Sequence, residues 1–156
     1  MINLVDEVSL KYSVDQVRIY FAGHSNGGFM VHRMACDHAS RIAGIVSFAG
    51  MNFKDISLCK PSEPVNILQI HGTADDTILY NGGVIAGVEY PSVQDVLDDW
   101  ISLNGCTANS LTDGTPFSIL SDVAGAETTP KTATCPAGVS VEHWKMENGI
   151  HNPLFE

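Results

Sequence analysis

Three apolar runs of strand length, each ending in glycine, constrain this chain most: "QVRIYFAG" (16–23), "IAGIVSFAG" (42–50) and "VNILQIHG" (65–72). They are rich in β-branched and aromatic residues and nearly continuous in hydrophobicity. That pattern fits parallel strands covered on both faces better than half-exposed antiparallel ones. "VSVEHWKM" (139–146) is a fourth strand candidate, followed by the turn Asn148-Gly149 and then His151.

Between the runs the periodicity changes. Met30, Val31, Met34 and Ala35 recur on one face of a helix of about three turns. Over 92–105, Val93, Val96, Leu97, Trp100 and Ile101 form an apolar stripe, with Ser92 as a cap and Gly105 as the stop. The order strand–helix–strand–strand–helix–strand reads as α/β with a mostly parallel sheet of about four strands and helices mainly on one face. A short helix is expected within residues 2–12. The segment "MNFKDISLCKPSEP" reads as a connection with at most one helical turn, and 107–138 as a long excursion with a short strand at "PFSIL". No repeat or boundary divides the 156 residues, so one domain over 1–156 is expected.

A net charge of −10 argues against nucleic acid and anionic membranes as partners. No apolar run approaches the roughly 18 residues of a membrane span. The N-terminal residues lack the basic and apolar regions of a signal peptide, so the chain is either cytoplasmic or has lost a leader. Cys36, Cys59, Cys106 and Cys135 make an even set without C-x-x-C spacing. Zinc is not expected, and three disulfide pairings are open.

The chemistry starts at "GHSNG" (23–27). A serine hydroxyl needs a base to take its proton and a turn that exposes its oxygen. G-x-S-x-G supplies the turn when it lies between a strand and a helix, as here, with glycines allowing the tight bend. The backbone N–H of Asn26, at the helix start, is then placed to serve an oxyanion. Asp75 and Asp76 follow the third strand, at the end where open α/β sheets bind ligands. His151 follows the last strand. Serine, acid and histidine in that order fit an α/β-hydrolase triad. Of the other histidines, His24 lies in the elbow, His32 and His38 read as surface and helix-end residues, His71 as a structural hydrogen bonder, and His143 as the weaker base candidate. No cofactor or metal is expected.

These residues resemble the secreted esterases related to polyhydroxybutyrate depolymerase and feruloyl esterase, within the α/β hydrolases. "VRIYFAGHSNGGFMVHRMAC" is similar to the family's elbow, "RIAGIVSFAG" to the next strand, and "VNILQIHGTADDTILYNGG" to its acid loop. "WISLNGC", Cys135 and "VEHWKMENGIH" are similar to its final helix, bridged loop and histidine turn. The resemblance implies Ser25 as nucleophile, His151 as base and Asp75 as orienting acid, acting on an ester through an acyl-enzyme. It also implies a Cys106–Cys135 disulfide and, beside it, Cys36–Cys59, in a secreted or periplasmic setting with the leader absent; a cytoplasmic location stays open.

Two departures stand out. After His151 the family continues with an aromatic residue and Pro-Gly, where this chain has Asn152-Pro153. The family also carries a large N-terminal half ahead of the elbow, and only about 16 residues precede the elbow strand here. The expectation is therefore a reduced α/β-hydrolase, minimal or truncated, matching the C-terminal half of the usual fold. Its elbow strand becomes an apolar edge, a feature soluble proteins cover; a homodimer is the expected cover. The leading function is a serine carboxylesterase for small esters, aryl/feruloyl or hydroxyalkanoate among them. The alternative is a weak or inactive hydrolase serving as a binding module, and acyl transfer would use the same residues.

Overall fold

A computed structural model describes residues 1–155; Glu156, the last residue of the expected domain, lies outside them. The chain runs through α1 (Ile2–Lys11), β1 (Tyr20–His24), α2 (Asn26–His38), β2 (Gly44–Phe48), β3 (Asn66–Gly72), β4 (Gly83–Ile85), β5 (Val88–Tyr90), α3 (Val93–Leu103), β6 (Thr112–Asp113), β7 (Thr128–Thr132) and β8 (Val141–Met146). Single 3₁₀ turns lie at Ala39–Arg41 and Ile56–Leu58.

The sheet has six strands in the order β1-β2-β3-β8-β7-β6. The four expected strands are β1, β2, β3 and β8, all mutually parallel. The strand count needs correction, because the 107–138 excursion adds β7 antiparallel to β8 and β6 antiparallel to β7. The expected strand at "PFSIL" reduces to isolated bridges at Phe117 and Leu120. The real strand, "TTPKT", carries a proline and no apolar alternation, and so hides from a periodicity reading. On its outer side the Pro130 carbonyl accepts the Gly114 N–H at 2.8 Å.

Helix α2 packs on β1 and β2, and α3 on β3 and β8. His32 of α2 and Trp100 of α3 touch, so both helices cover the same face of the sheet. The α3 stripe is buried as expected, and Ser92 with Asp95 forms a reciprocal capping box worth about 1 kcal/mol. In α2 the expected Val31, Met34 and Ala35 are buried together with Gly28, His32 and Cys36, whereas Met30 is exposed. The reason is Gly28. A Cβ there would sit 2.8 Å from the Gly50 Cα, so the helix turns this face onto the end of β2. His32 is thereby fully buried, correcting its reading as a surface residue.

Both disulfides form, Cys36–Cys59 and Cys106–Cys135, closing separations of 23 and 29 residues. Loops of this size give roughly 3 kcal/mol each in the chain-entropy account. The first ties α2 to the connection after β2. The second pins the base of the excursion that supplies β6 and β7. Strand β1 is an edge, with Tyr20 and Ala22 exposed on it.

Candidate active site

Because β1, β2, β3 and β8 are parallel, the residues just past them gather along one rim of the sheet. Ser25 follows β1, Asn52 follows β2, Asp75 follows β3 and His151 follows β8. The elbow places Ser25 at φ 55°, ψ −119°, outside the ordinary basins of an L-residue. Such a backbone costs about 1–3 kcal/mol and persists only where its surroundings enforce it. Here the Ser25 N–H donates to the Phe48 carbonyl at 2.8 Å, and the Ser25 carbonyl accepts from Phe29 at 3.1 Å. Gly23 is essential to the bend, since a Cβ would lie 2.2 Å from the Gly27 carbonyl oxygen. Gly27 is different: a Cβ there would meet nothing within 4 Å, so the expected steric need for a second flanking glycine fails. The close approach lies one residue on, at Gly28.

The structure brings Ser25, Asp75 and His151 together. His151 Nε2 lies 3.0 Å from Ser25 Oγ, and its Nδ1 lies 2.8 Å from Asp75 Oδ2. Asp75 Oδ1 accepts the backbone N–H groups of Thr77 and Ile78 at 2.9 and 2.8 Å. Burial alone would raise this carboxyl's pKa. Hydrogen bonds from His71, His151, Ile78 and Thr77 outweigh burial and hold it well below the usual carboxylate range. An ionised Asp75 accepts from His151 Nδ1–H and leaves Nε2 free to take a proton from Ser25. Asp76 is exposed, and its carboxylate accepts from the Thr77 hydroxyl at 3.2 Å.

The loops that carry Asp75 and His151 are locked to each other by main chain. A Cβ on Gly72 would fall 2.0 Å from the Gly149 carbonyl oxygen. Ala74 N–H donates to that carbonyl at 3.0 Å, and Thr73 N–H donates to the Met146 carbonyl at 2.9 Å. His24, placed by the sequence in the elbow, also reaches this loop: its Nε2–H donates to the His151 carbonyl at 2.9 Å. Asn26 is the first residue of α2, and the first N–H groups of a helix have no intrahelical acceptor. His143 is not near this geometry as a base. It is buried, its Nδ1–H donating to the Gln69 carbonyl at 2.9 Å and its Nε2 accepting from the Tyr80 hydroxyl at 2.8 Å. His38 stands at the end of α2, as read.

Beside Ser25 opens a cleft of about 500 Å³, walled by Phe29, Phe53, Ile78, Val88 and Tyr90. The β4–β5 hairpin forms its far wall. Sequence reasoning missed this hairpin, since three-residue strands carry too little pattern; the left-handed Ala86-Gly87 turn is its one signal. Asn52 also lines the cleft. Its Oδ1 accepts the Phe53 N–H at 2.8 Å, and its buried Nδ2 finds no partner among the described residues. Among the described residues no group of three or more His, Cys, Asp or Glu could hold a metal ion, and no helix is long and apolar enough to cross a membrane.

The family model of the Phospholipase/Carboxylesterase group within the α/β hydrolases matches residues 1–98. The chain belongs to the phospholipase/carboxylesterase family. The matched part of this family member holds the elbow and the acid loop, and His151 lies beyond it. The chain is 36% identical over 113 residues to feruloyl esterase B of Piromyces equi, covering 67% of this chain and 21% of that protein. It is 25% identical over 154 residues to the bifunctional acetylxylan esterase/xylanase XynS20E of Neocallimastix patriciarum, covering 96% and 20%. The chain thus spans about a fifth of the length of these curated relatives. Its fold is that of the acetyl xylan esterase from Aspergillus awamori, with a TM-score of 0.63 at 14% identity, covering 96% of this chain and 60% of that one.

Proposed function

We propose that this carboxylesterase-family chain hydrolyses small carboxylic esters through an acyl-enzyme on Ser25, with His151 as base and Asp75 as orienting acid. The observation that carries the reading is the unbroken line Ser25 Oγ–His151 Nε2, 3.0 Å, and His151 Nδ1–Asp75 Oδ2, 2.8 Å, on a serine held at positive φ. Ser25 Oγ attacks the ester carbonyl carbon while His151 Nε2 takes its proton. The oxyanion forms against the Asn26 N–H, and the alcohol leaves with the proton from His151. Water then repeats the sequence in reverse and releases the acid. One oxyanion donor contributes about 3–4 kcal/mol, so with Asn26 alone turnover is modest and favours activated or short esters.

The cleft supports an aryl or alkyl group beside the ester, since its walls are Phe29, Phe53, Ile78 and Tyr90. Aryl esters such as feruloyl esters lead hydroxyalkanoate esters on this ground. The two disulfides support a secreted or periplasmic setting, where such bonds persist. The free edge of β1 and the exposed Leu4, Val17 and Tyr20 near it support a homodimer as the assembly. The whole of residues 1–156 acts as one domain in this reading.

Hydrolysis of p-nitrophenyl acetate and butyrate by the wild type and by Ser25→Ala tests the proposal. Wild-type turnover with loss in the variant is expected, and equal rates would overturn it. The mass of the protein in solution at micromolar concentration tests the assembly, and a strict monomer would sink the dimer.

A further inference from the structure

A line of buried polar side chains crosses the core from α3 to the acid loop, and its direction is set by chemistry alone. The Trp100 indole N–H can only donate, and it does so to His32 Nδ1 at 3.0 Å. His32 Nδ1 is therefore an acceptor, which puts the His32 proton on Nε2, 3.0 Å from Gln69 Oε1. That fixes the Gln69 amide: its Nε2 donates to the Gly50 carbonyl at 2.8 Å and faces His71 Nδ1 at 3.4 Å. His71 Nδ1 is in turn an acceptor, and the His71 proton sits on Nε2. This N–H points at the Ile78 carbonyl, 2.7 Å away, with Asp75 Oδ2 at 3.4 Å. Trp100, His32, Gln69 and His71 are all completely buried, so no solvent competes for any link.

We propose that His71 is a positioning residue for Asp75, its Nε2–H aimed at the acid loop by the one-way chain of donors that begins at Trp100. The inference rests on the reading of Asp75 as the orienting acid. His71 acts on the loop twice. Its N–H holds the carbonyl of Ile78, whose own N–H holds Asp75 Oδ1, and it shares the same proton with Asp75 Oδ2. The carboxylate is thus fixed in rotation, with Oδ2 presented to His151 Nδ1. The burial that keeps water out also lowers the His32 pKa to about 4, so the chain keeps its direction at neutral pH. The other titratable groups around this pair are His151 from the base loop, Tyr80 edge-on to the His71 ring, His143 behind Tyr80, and Glu147, which accepts from Thr73 and pairs with Lys145.

Removing the His71 N–H takes the positive end of a dipole away from the Asp75–His151 pair, so the pair binds a proton at higher pH. Substituting His71→Leu is expected to move the acid limb of kcat/KM upward by about half a pH unit and to lower kcat about tenfold with little change in KM. His71→Gln, whose amide can donate from nearly the same place, restores most of both. In ¹⁵N-histidine spectra of the wild type at mildly alkaline pH, the neutral His32 and His71 rings carry their protons on Nε2. A folded His71→Leu protein with an unmoved acid limb would overturn the proposal. So would a wild-type His71 or His32 protonated on Nδ1, a result that needs no variant to fold. The spectra also separate this inference from the esterase reading: inactivity of the wild type defeats the latter while the tautomers still decide the direction of the chain.

Discussion

Asp75 and His151 stand 76 positions apart in sequence, yet His151 Nδ1 meets Asp75 Oδ2 at 2.8 Å with both side chains buried. Asp76, its immediate neighbour, faces solvent. Asp75→Asn is therefore expected to lower kcat by roughly three to four orders of magnitude, as when a triad amide imposes the wrong tautomer. Asp76→Asn should stay within about twofold of the wild type, an effect under about 0.5 kcal/mol. Initial rates with p-nitrophenyl butyrate compare the two, and a larger loss at Asp76 would reassign the acid.

The elbow glycines separate by the space around them. Gly23→Ala puts a methyl 2.2 Å from a backbone oxygen and should abolish folding or soluble expression. Gly27→Ala adds a methyl into open space in the first turn of α2, where alanine is preferred to glycine by up to about 1 kcal/mol. Thermal melts should show Gly27→Ala at or above the wild-type midpoint.

Two buried histidines set an acid limit on stability. Desolvation is the main cause that brings both His32 and His143 down from 6.5 to about 4. Their folded values lie below the unfolded one, so the unfolded chain binds these protons first. Stability is full above about pH 6.5 and falls as pH drops toward 4, by up to about 1.4 kcal/mol per pH unit for each histidine. Urea unfolding at pH 7, 5.5 and 4.5 measures this slope; a flat profile would contradict it.

Asp99 works in the opposite sense. Burial first, then Asp95 and Asp98, raise its carboxyl to about 6, with Lys54 opposing. A folded value above the unfolded one means its contribution to stability is highest at low pH and is lost as pH rises through 6. Asp99→Asn should raise the melting midpoint at pH 7.5 and leave it unchanged at pH 4, as differential scanning of the two proteins would reveal.

The parts of this fold visible in sequence are those where one chemical pattern dominates. β2 and β3 announce themselves because they are nearly continuous apolar runs, one face of each buried and the other half-buried, and α3 because its stripe and its Ser92 cap agree. Ser25, Asp75 and His151 are readable because each comes just after a strand, and parallel strands deliver their trailing loops to one rim. The features that escape a sequence reading depend on contacts between distant segments. β7 is a strand because β8 offers it an edge, and "TTPKT" itself argues the other way. His32 looks like a surface residue because its partners, Gln69 and Trp100, lie 37 and 68 positions away. Asn52 and the β4–β5 hairpin border the cleft through folding of the chain; no local pattern marks Asn52, and only the Ala86-Gly87 turn marks the hairpin.

The contact between Gly72 and Gly149 carries a last consequence. Asp75 and His151 hang from two loops whose separation is set by bare main chain, with no side chain in between to swell or shrink. Most of the cleft wall comes from other segments, Phe29, Phe53 and the hairpin, while Ile78 belongs to the loop that carries Asp75. In the proposed reading, the Ser25–His151–Asp75 line is thus held by the main-chain contact, and most of the ester-facing wall by segments apart from it. Substitutions at Phe29, Phe53 or the hairpin would reshape that wall and leave the Gly72–Gly149 contact untouched.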